Sequence, residues 1–224
     1  MRLCRPARAP FSAAALLCAI ASLPCPQAAA PDPIVYTLRF PAPDTHSAEV
    51  EAIVPTDGHA TIELMLPVWS PGFYGAGNYA RNVQEFTARS PDGATLAFEK
   101  PRENHWRLAT SGAARVVIAY HLLCQSTFVT GSWVGPDFAV INGPSTFITL
   151  VEHAQRPHTV QLVLPPVWEQ SVTSLAAAPD GRPNEYSAPD YDVFADAPIV
   201  RFSPAVSCVL AACNTAPILR SRSV

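Results

Sequence analysis

Prolines recur along almost the whole chain, and their spacing limits the structures that this sequence can form. The chain has 24 prolines and 10 glycines among 224 residues. Because proline lacks a backbone donor and breaks helix interiors, this density excludes long helices and favours short extended segments joined by turns. The segments between the turns alternate apolar and polar residues, which is typical of strands with one buried face.

Short segments with this strand pattern follow one another at intervals of about 8–12 residues. The predicted strands cover residues 34–40, 48–54, 60–66, 83–89, 95–99, 106–109, 115–124, 138–141, 147–151, 159–164 and 171–176. Asp57-Gly58 is a typical turn pair, and it predicts a hairpin or meander between the second and third of them. The sequence therefore predicts an all-β fold, a twisted antiparallel β-sandwich of short strands with little helix.

The two ends of the chain differ in character from this β-rich body. Residues 1–30 combine a basic start (Arg2, Arg5, Arg8) with an apolar stretch and three alanines, which predicts a secretory signal and a periplasmic or secreted bacterial protein. Pro31 hinders cleavage there, so a retained anchor is the alternative. We expect residues 31–200 to form the β domain, with no stable membrane association once the signal is removed. Residues 201–224 show no clear period and predict a divergent, poorly ordered tail.

The charge of the chain excludes nucleic acid as a partner. The net charge is −3, and it becomes −6 without the three arginines of the first 30 residues. The chain has one lysine, Lys100. A mildly acidic surface attracts neither phosphate backbones nor anionic lipid.

The cysteines do not indicate a disulfide framework. Beyond the predicted signal the chain has Cys124, Cys208 and Cys213, an odd number. Cys124 lies in a predicted strand, where a small buried apolar residue is the ordinary role of cysteine. Cys208 and Cys213 are able to pair in an oxidising compartment.

The segment 66–83 joins an apolar strand to a loop that is unusually rich in aromatic residues. Its Gly75, Gly77 and Ala80 fit the relaxed dinucleotide-binding pattern Gly-x-Gly-x-x-Ala. That pattern requires an uninterrupted strand before it and a helix after it. Pro67 and Pro71 interrupt the first, and the following residues are extended in pattern, so the sequence excludes a dinucleotide site.

The aromatic residues of this loop, together with a tryptophan further along, are the strongest binding signal in the sequence. The candidate interface or cleft residues are Trp69, Phe73, Tyr74, Tyr79, Arg81, Asn82 and Trp133. Aromatic and arginine side chains supply anchoring contacts at protein interfaces. Two interpretations stay open: the aromatics pack at the ends of the sandwich, or they line a cleft or an interface.

Five short segments, taken in order, carry a family resemblance. They are Pro67-Val68-Trp69-Ser70-Pro71-Gly72-Phe73-Tyr74 with Tyr79-Ala80-Arg81-Asn82-Val83, then Glu103-Asn104-His105-Trp106, Asn142-Gly143-Pro144-Ser145-Thr146-Phe147, Leu164-Pro165-Pro166-Val167-Trp168 and Tyr191-Asp192-Val193-Phe194-Ala195-Asp196-Ala197-Pro198-Ile199. Together they resemble the N-terminal domain of the glycyl aminopeptidase family of zinc metallopeptidases. The resemblance implies a largely antiparallel β domain that packs on a peptidase domain and helps to shape its substrate cleft.

The chemistry of the family's catalytic domain is not visible in this sequence. A zinc peptidase of that kind needs His-Glu-x-x-His, and no histidine here is followed by glutamate. Glu152, His153 and His158, with Glu169 in reach, have the wrong order and spacing, and we interpret them as exposed strand-end residues. No metal or other cofactor is predicted.

Two other kinds of catalytic site are also disfavoured. Gly143-Pro144-Ser145-Thr146-Phe147 lacks the last glycine of a serine-hydrolase elbow and leads into a strand. The paired acids Asp190 and Asp192 lie in a predicted loop, where solvation is the ordinary role. We therefore expect no peptidase activity from the chain alone.

The expected role is a binding or interaction module, or a truncated remnant. One alternative is the N-terminal part of a split aminopeptidase whose catalytic domain lies on another chain. A second alternative is a peptide- or glycan-binding sandwich that uses the aromatic loop as a platform.

Overall fold

The computed structural model describes residues 31–202, apart from 153, 154, 167, 169, 170 and 179. The strands are β1 (Ile34–Arg39), β2 (Ser47–Pro55), β3 (Thr61–Met65), β4 (Val83–Arg89), β5 (Phe98–Glu99), β6 (His105–Ala109), β7 (Arg115–Leu123), β8 (Trp133–Val134), β9 (Phe138–Ile141), β10 (Thr149–Leu150), β11 (His158–Val163), β12 (Ser171–Val172), β13 (Ala176–Ala177), β14 (Glu185–Ala188) and β15 (Ile199–Phe202). The helix α1 covers Tyr191–Ala195, and 3-10 turns cover Pro43–Thr45 and Tyr79–Asn82. In this part of the chain, no helix has the length and hydropathy of a membrane span.

The strands form three open sheets. The largest has the order β13-β14-β11-β1-β2-β7-β4, the second β10-β3-β6-β5 and the third β12-β15-β9-β8. All of the pairings between these strands are antiparallel except that between β1 and β11, which is parallel. The predicted all-β, largely antiparallel fold is confirmed.

The core lies between the facing sheets and follows the predicted alternation. On β1, Ile34, Tyr36 and Leu38 are fully buried while the residues between them are half-buried. From the largest sheet, Phe86 stacks on Trp106 of the second sheet with ring centroids 5.2 Å apart. Each fully buried aliphatic or aromatic side chain stabilises the fold by roughly 1.5–3 kcal/mol.

The predicted hairpin at Asp57-Gly58 is wrong, because this turn carries the chain from one sheet to another. β2 pairs with β7 in the largest sheet, whereas β3 pairs with β6 in the second. A two-stranded ribbon, β2–β3 against β6–β7, therefore crosses between the sheets as a unit. Gly58 and Gly112 have φ values of 77° and 78° at the two bends, a conformation that glycine adopts without strain.

Two threonines close this corner in matching ways. The backbone N–H of Thr56 donates to the carbonyl of Ala114 (3.0 Å), and that of Thr110 donates to the carbonyl of Ala60 (2.9 Å). The Thr56 hydroxyl also donates to the carbonyl of Ala113, and the Thr110 hydroxyl to that of His59. Each threonine thus fixes the strand opposite to its own.

Replacing either corner threonine with valine is expected to lower the free energy of unfolding by about 0.5–1.5 kcal/mol, because the hydrogen bond from its hydroxyl to the facing carbonyl is lost. Thr56 and Thr110 are each 1% exposed, so the hydroxyl that is removed is a buried one. Urea unfolding followed by circular dichroism measures the change. The matched control is Thr87→Val on the exposed edge strand β4, where we expect less than about 0.5 kcal/mol. Equal effects at Thr56 and Thr87 would contradict the corner role.

Several elements were not predicted from the sequence. They are β8, β14, β15 and α1. Asp190 and Asp192 were assigned to a loop, which is wrong for Asp192: Asp190 caps α1 by accepting a hydrogen bond from the backbone of Val193 (2.8 Å), and Asp192 lies in its first turn. β15 ends at Phe202, two residues beyond the predicted limit of the β domain, and the rest of the predicted tail lies outside the described residues, as does the predicted signal at residues 1–30.

Candidate docking groove

The aromatic loop after β3 is fixed to the start of β6 by asparagine. The backbone N–H of Leu66 donates to the carbonyl of Asn104 (2.9 Å), and the Asn104 side-chain amide donates back to the carbonyl of Leu66 (2.9 Å). Further along the loop, the Asn78 amide donates to the Glu103 carboxylate (2.9 Å). The first two segments of the family resemblance are therefore held together.

Glycines allow the loop to turn back on itself. Gly72 follows Pro71 with φ of 75°, the conformation that a type II turn requires at this position, and Phe73 N–H donates to the carbonyl of Ser70 (3.1 Å). The N–H of Gly77 then donates to the carbonyl of Val68 (2.6 Å), which closes the loop. The chain continues through a 3-10 turn into β4 rather than into a helix, which agrees with the exclusion of a dinucleotide site.

The turn after β9 packs directly against α1. A Cβ atom on Gly143 would lie 2.7 Å from the Cα of Ala195 and 3.1 Å from the carbonyl oxygen of Phe194, so glycine is required for this approach. The Tyr191 hydroxyl donates to the carbonyl of Phe147 (3.0 Å) from α1. The third and fifth segments of the resemblance are therefore also held together.

Two further tyrosines satisfy the buried backbone next to this turn. The Tyr120 hydroxyl donates to the carbonyl of Thr146 (2.7 Å), and the Tyr36 hydroxyl donates to that of Ile148 (2.9 Å). Burial raises the pKa of Tyr36, Tyr120 and Tyr191, so all three hydroxyls stay protonated and able to donate. The position of α1 is thus tied to the core of the sandwich.

An apolar groove of about 760 Å³ is lined on one side by the aromatic loop and the start of β6, and on the other by α1 and the turn after β9. Its lining comprises Met65, Pro67, Val68, Trp69, Pro71, Arg102, Asn104, His105, Pro144, Tyr191, Asp192, Ala195 and Asp196. Trp69 is 57% exposed and Val68 is 45% exposed, although both are large apolar side chains. A concave apolar surface with a few polar groups at its border is typical of a binding site.

The predicted site residues separate into distinct places. Trp69 lines the groove, whereas Tyr74 projects fully into solvent at the tip of the same loop. Phe73 is half-buried and Tyr79 is buried, with its ring over Gly77. Of the two polar candidates, Arg81 is exposed and Asn82 is half-buried. Neither lines the groove.

Trp133 lies on β8, and its ring packs on rings from outside the aromatic loop. Its ring packs on His46 with centroids 4.5 Å apart and lies 6.1 Å from the ring of Phe138. Trp133 is not among the residues that line the groove with Trp69. That these aromatic residues form one interface or cleft stays a prediction.

An exposed phenylalanine next to the loop was not singled out in the sequence. Phe128 packs edge-on against Phe73, with ring centroids 5.3 Å apart, and is 56% exposed. Val129 beside it is 75% exposed. The residues around them gave no strand pattern, so only their apolar character in an irregular segment was available as a signal.

A second, polar hollow of about 360 Å³ adjoins the groove at Arg102 and His105. It contains a small network on β3 and β6: His105 Nδ1 lies 2.7 Å from one oxygen of Glu63, and the Arg107 guanidinium donates to the other (3.1 Å). These hydrogen bonds, from His105 first and then Arg107, lower the pKa of Glu63. Glu63, His105 and Arg107 pair with one another, which indicates a structural network.

Of the four residues considered for metal binding, Glu152 and His158 lie among the residues that the structure describes. No group of three or more metal-ligating side chains occurs among the residues that the structure describes, so a zinc ion finds no fitting donor set there. Glu152 is exposed, but His158 is fully buried, so its interpretation as an exposed strand-end residue is wrong. His153 and Glu169 lie outside the described residues.

Cys124 has the structural role predicted for it. Its side chain is fully buried, and burial raises the pKa of the thiol to about 12. A thiol in this state is not a nucleophile at neutral pH. Cys208 and Cys213 lie outside the described residues.

The described part of the chain is a β-rich domain of three largely antiparallel sheets with an apolar groove on its surface. The family model of the peptidase M61 N-terminal domain matches residues 35–201. The chain belongs to this family, and the match covers the N-terminal domain alone, with no catalytic domain detected. The recognition made from the five segments is confirmed.

A solved structure shares this fold. An aminopeptidase N family protein from Idiomarina loihiensis aligns with a TM-score of 0.68 at 21% identity, over 75% of this chain and 29% of that one. An M1 zinc metallopeptidase from Deinococcus radiodurans aligns with a TM-score of 0.43 at 13% identity, over 76% of this chain and 41% of that one. The chain thus spans less than half the length of either protein. No curated protein matches the chain.

Proposed function

We propose that this domain is a non-catalytic interaction module that docks, through the groove around Trp69, onto a peptidase catalytic domain carried by another chain. One observation carries the proposal: four of the five segments that resemble the family line this single groove. The fourth segment serves the core instead, since Trp168 is 3% exposed and packs on Phe40 with ring centroids 5.0 Å apart.

The geometry around the groove supports docking of a preformed surface. The loop is closed by Gly77 and clamped by Asn104, and α1 is fixed by Tyr191 and Gly143. A rigid surface loses little conformational entropy on binding, which favours affinity. Among the side chains of the groove, the exposed apolar side chains of Trp69 and Val68 contribute most to the free energy of binding when a partner covers them.

The experiment combines the purified full chain with a His-Glu-x-x-His peptidase domain from the same organism. We expect a complex by isothermal titration calorimetry, and hydrolysis of glycyl and alanyl anilides only by the zinc-loaded partner or the complex. Stoichiometric zinc and turnover in the chain alone would overturn the proposal. Saturable binding of a glycan, without any complex, would favour the platform alternative.

Trp69→Ala is expected to weaken this complex by about 30-fold or more, as for a buried aromatic anchor. The free energy of unfolding should change by less than about 0.5 kcal/mol, because the side chain is exposed in the free domain. Calorimetric titration and urea unfolding measure the two quantities.

Tyr74→Ala serves as the matched variant, since Tyr74 is an exposed aromatic on the same loop that does not line the groove. We expect it to bind nearly as well as the unaltered chain. A larger loss with Tyr74→Ala than with Trp69→Ala would place docking at the loop tip instead of the groove.

We also propose that the module works outside the cytoplasm, exported by the basic and apolar leader in residues 1–30. Fractionation of cells that express the chain tests this. Recovery of the full-length chain from the cytoplasm, with residues 1–30 attached, would contradict it.

A further inference from the structure

We propose that the segment received by the groove is a polypeptide with an apolar anchor next to a basic residue, and that Asp192 and Asp196 select the basic residue. This inference rests on the proposed function and deepens it by stating the chemistry of the docking partner. Three features carry it: the apolar lining of the groove, the carboxylates on and just after α1, and the absence of ion-pair partners for those carboxylates in the described part of the chain.

The first feature is the apolar lining of the groove. Met65, Pro67, Pro144 and Ala195 line it together with Trp69. A volume of about 760 Å³ is large enough for several side chains of an extended segment. The occupant must therefore present an apolar side chain as its anchor.

The second feature is a pair of carboxylates on one border. Asp192 and Asp196 are four residues apart on and just after α1, and both are exposed and line the groove. Residues at this spacing lie on the same face of a helix. They therefore place two negative charges beside the apolar anchor site.

The third feature is that these charges are not neutralised within the described residues. Some other surface acids have partners: Glu51 lies 3.3 Å from Arg89, and Asp180 lies 2.6 Å from Arg182. In the same part of the chain, neither Asp192 nor Asp196 takes part in an ion pair. A lysine or arginine supplied by the partner complements them.

Arg102 sets the direction of the bound segment. It is exposed, comes from the connection before β6 next to Asn104, and has no ion pair within the described residues. The groove thus has a cation from the clamped loop side and two anions from α1. A segment with its basic residue toward α1 satisfies both, and the reverse orientation places like charges together.

The test uses four fluorescein-labelled synthetic octapeptides and the purified full chain. Three share the apolar centre Pro-Leu-Trp-Pro with Gln-Gln on one flank, and they differ only in the pair on the other flank, which is Lys-Arg, Gln-Gln or Glu-Asp. The fourth keeps Lys-Arg and replaces the centre with Gly-Ser-Ser-Gly. We expect fluorescence anisotropy to give about fivefold tighter binding of the basic peptide than of the neutral one, as for two exposed ion pairs. The peptide without the apolar centre should not bind.

The variant D192N/D196N is expected to remove the preference for the basic peptide while it leaves the affinity for the neutral peptide unchanged. The control D44N/D137N makes the same change of net charge at two exposed acids outside the groove, and the preference should persist. The preference should also shrink when the ionic strength is raised to about 0.3 M, because exposed charges are screened.

The outcomes separate this inference from the proposed function. Equal or tighter binding of the acidic peptide, or no peptide binding at all, overturns the inference even if a peptidase domain still docks through Trp69. Self-association that Trp69→Ala abolishes, measured by sedimentation equilibrium, also overturns it, since the occupant is then a second copy. Failure of every peptidase domain to bind overturns the proposed function, while the peptide preference is read independently.

Discussion

Replacing Gly143 with alanine is expected to lower the free energy of unfolding by about 2–3 kcal/mol, because the added methyl group has no space. Its Cβ would lie 2.7 Å from the Cα of Ala195 and 3.0 Å from the carbonyl oxygen of the same residue. Both are backbone atoms, which cannot rotate aside as a flexible side chain does. The α1 backbone must therefore move, and it carries one border of the groove with it.

Urea unfolding measures the loss of stability, and hydrogen exchange at the backbone amides of α1 measures the displacement. The N–H of Val193, which donates to Asp190, and the N–H of Asp196, which donates to the carbonyl of Asp192, should exchange faster in Gly143→Ala. Binding at the groove should weaken although no lining side chain has changed.

Gly58→Ala is the matched control for this substitution. Gly58 has φ of 77° and open space around its Cβ position. The free energy of unfolding should therefore fall only by the strain of a left-handed backbone at alanine, about 1 kcal/mol. Hydrogen exchange at the amides of α1 should be unchanged. If Gly143→Ala destabilises no more than Gly58→Ala, the close approach of the turn to α1 is not important for the fold.

The alternation of the sequence predicted individual strands better than their assembly. β4 has the predicted bounds, and most of β2 alternates buried residues with more exposed ones, as a strand with one buried face does. That pattern is local. Which strands join in one sheet depends on contacts between residues that are far apart along the chain. The hydroxyls of Thr56 and Thr110 turn a predicted hairpin into a corner between sheets, and the parallel pairing of β1 with β11 has no local signature.

The sequence predicted the loop side of the candidate site but not the α1 side. Trp69 was identified because an aromatic residue in an irregular segment requires an explanation. The sequence did not show that Gly143 and α1 lie opposite this loop, since a helix of five residues is too short for a periodic pattern. Asp192 was interpreted as a solvated loop residue, and its place on the groove became visible only through that packing.

Acid is expected to destabilise the domain through His158, which lies under α1. The imidazole is fully buried, with its ring centroid 5.2 Å from that of Tyr191 and 5.3 Å from that of Phe194. Nδ1 lies 2.7 Å from the carbonyl oxygen of Arg156, so it donates, and Nε2 accepts from the Thr149 hydroxyl at 3.1 Å. The neutral ring is therefore satisfied on both nitrogens.

Burial lowers the pKa of His158 to about 4, although the hydrogen bond to the Arg156 carbonyl and the charge of Asp190 oppose this shift. In the unfolded chain the pKa is about 6.5. Above pH 6.5 both states are neutral and the stability is complete. Between about pH 6.5 and 4 the unfolded chain binds a proton that the folded chain does not, so stability falls by about 1.4 kcal/mol per pH unit, in total about 3 kcal/mol.

Urea unfolding at several pH values, compared between the unaltered chain and His158→Gln, isolates this contribution. Carboxylates titrate in the same range in both proteins, so their contribution cancels in the difference. The difference in stability should narrow as pH falls from 6.5 to 4, because the glutamine variant lacks this proton.

Nuclear magnetic resonance of the imidazole nitrogens tests the same point in the folded protein, and titration of His158 near pH 6.5 there would contradict the prediction.

Because the His158 ring contacts Tyr191 and Phe194, we expect acidification to loosen α1 first. Charging the imidazole leaves a second N–H that the Thr149 hydroxyl must reorient to accept, and it places a cation against the rings of α1. We therefore expect the amides of α1 to lose protection from hydrogen exchange before those of β1 and β2. The groove would then lose its α1 border at a pH at which most of the sandwich is still folded.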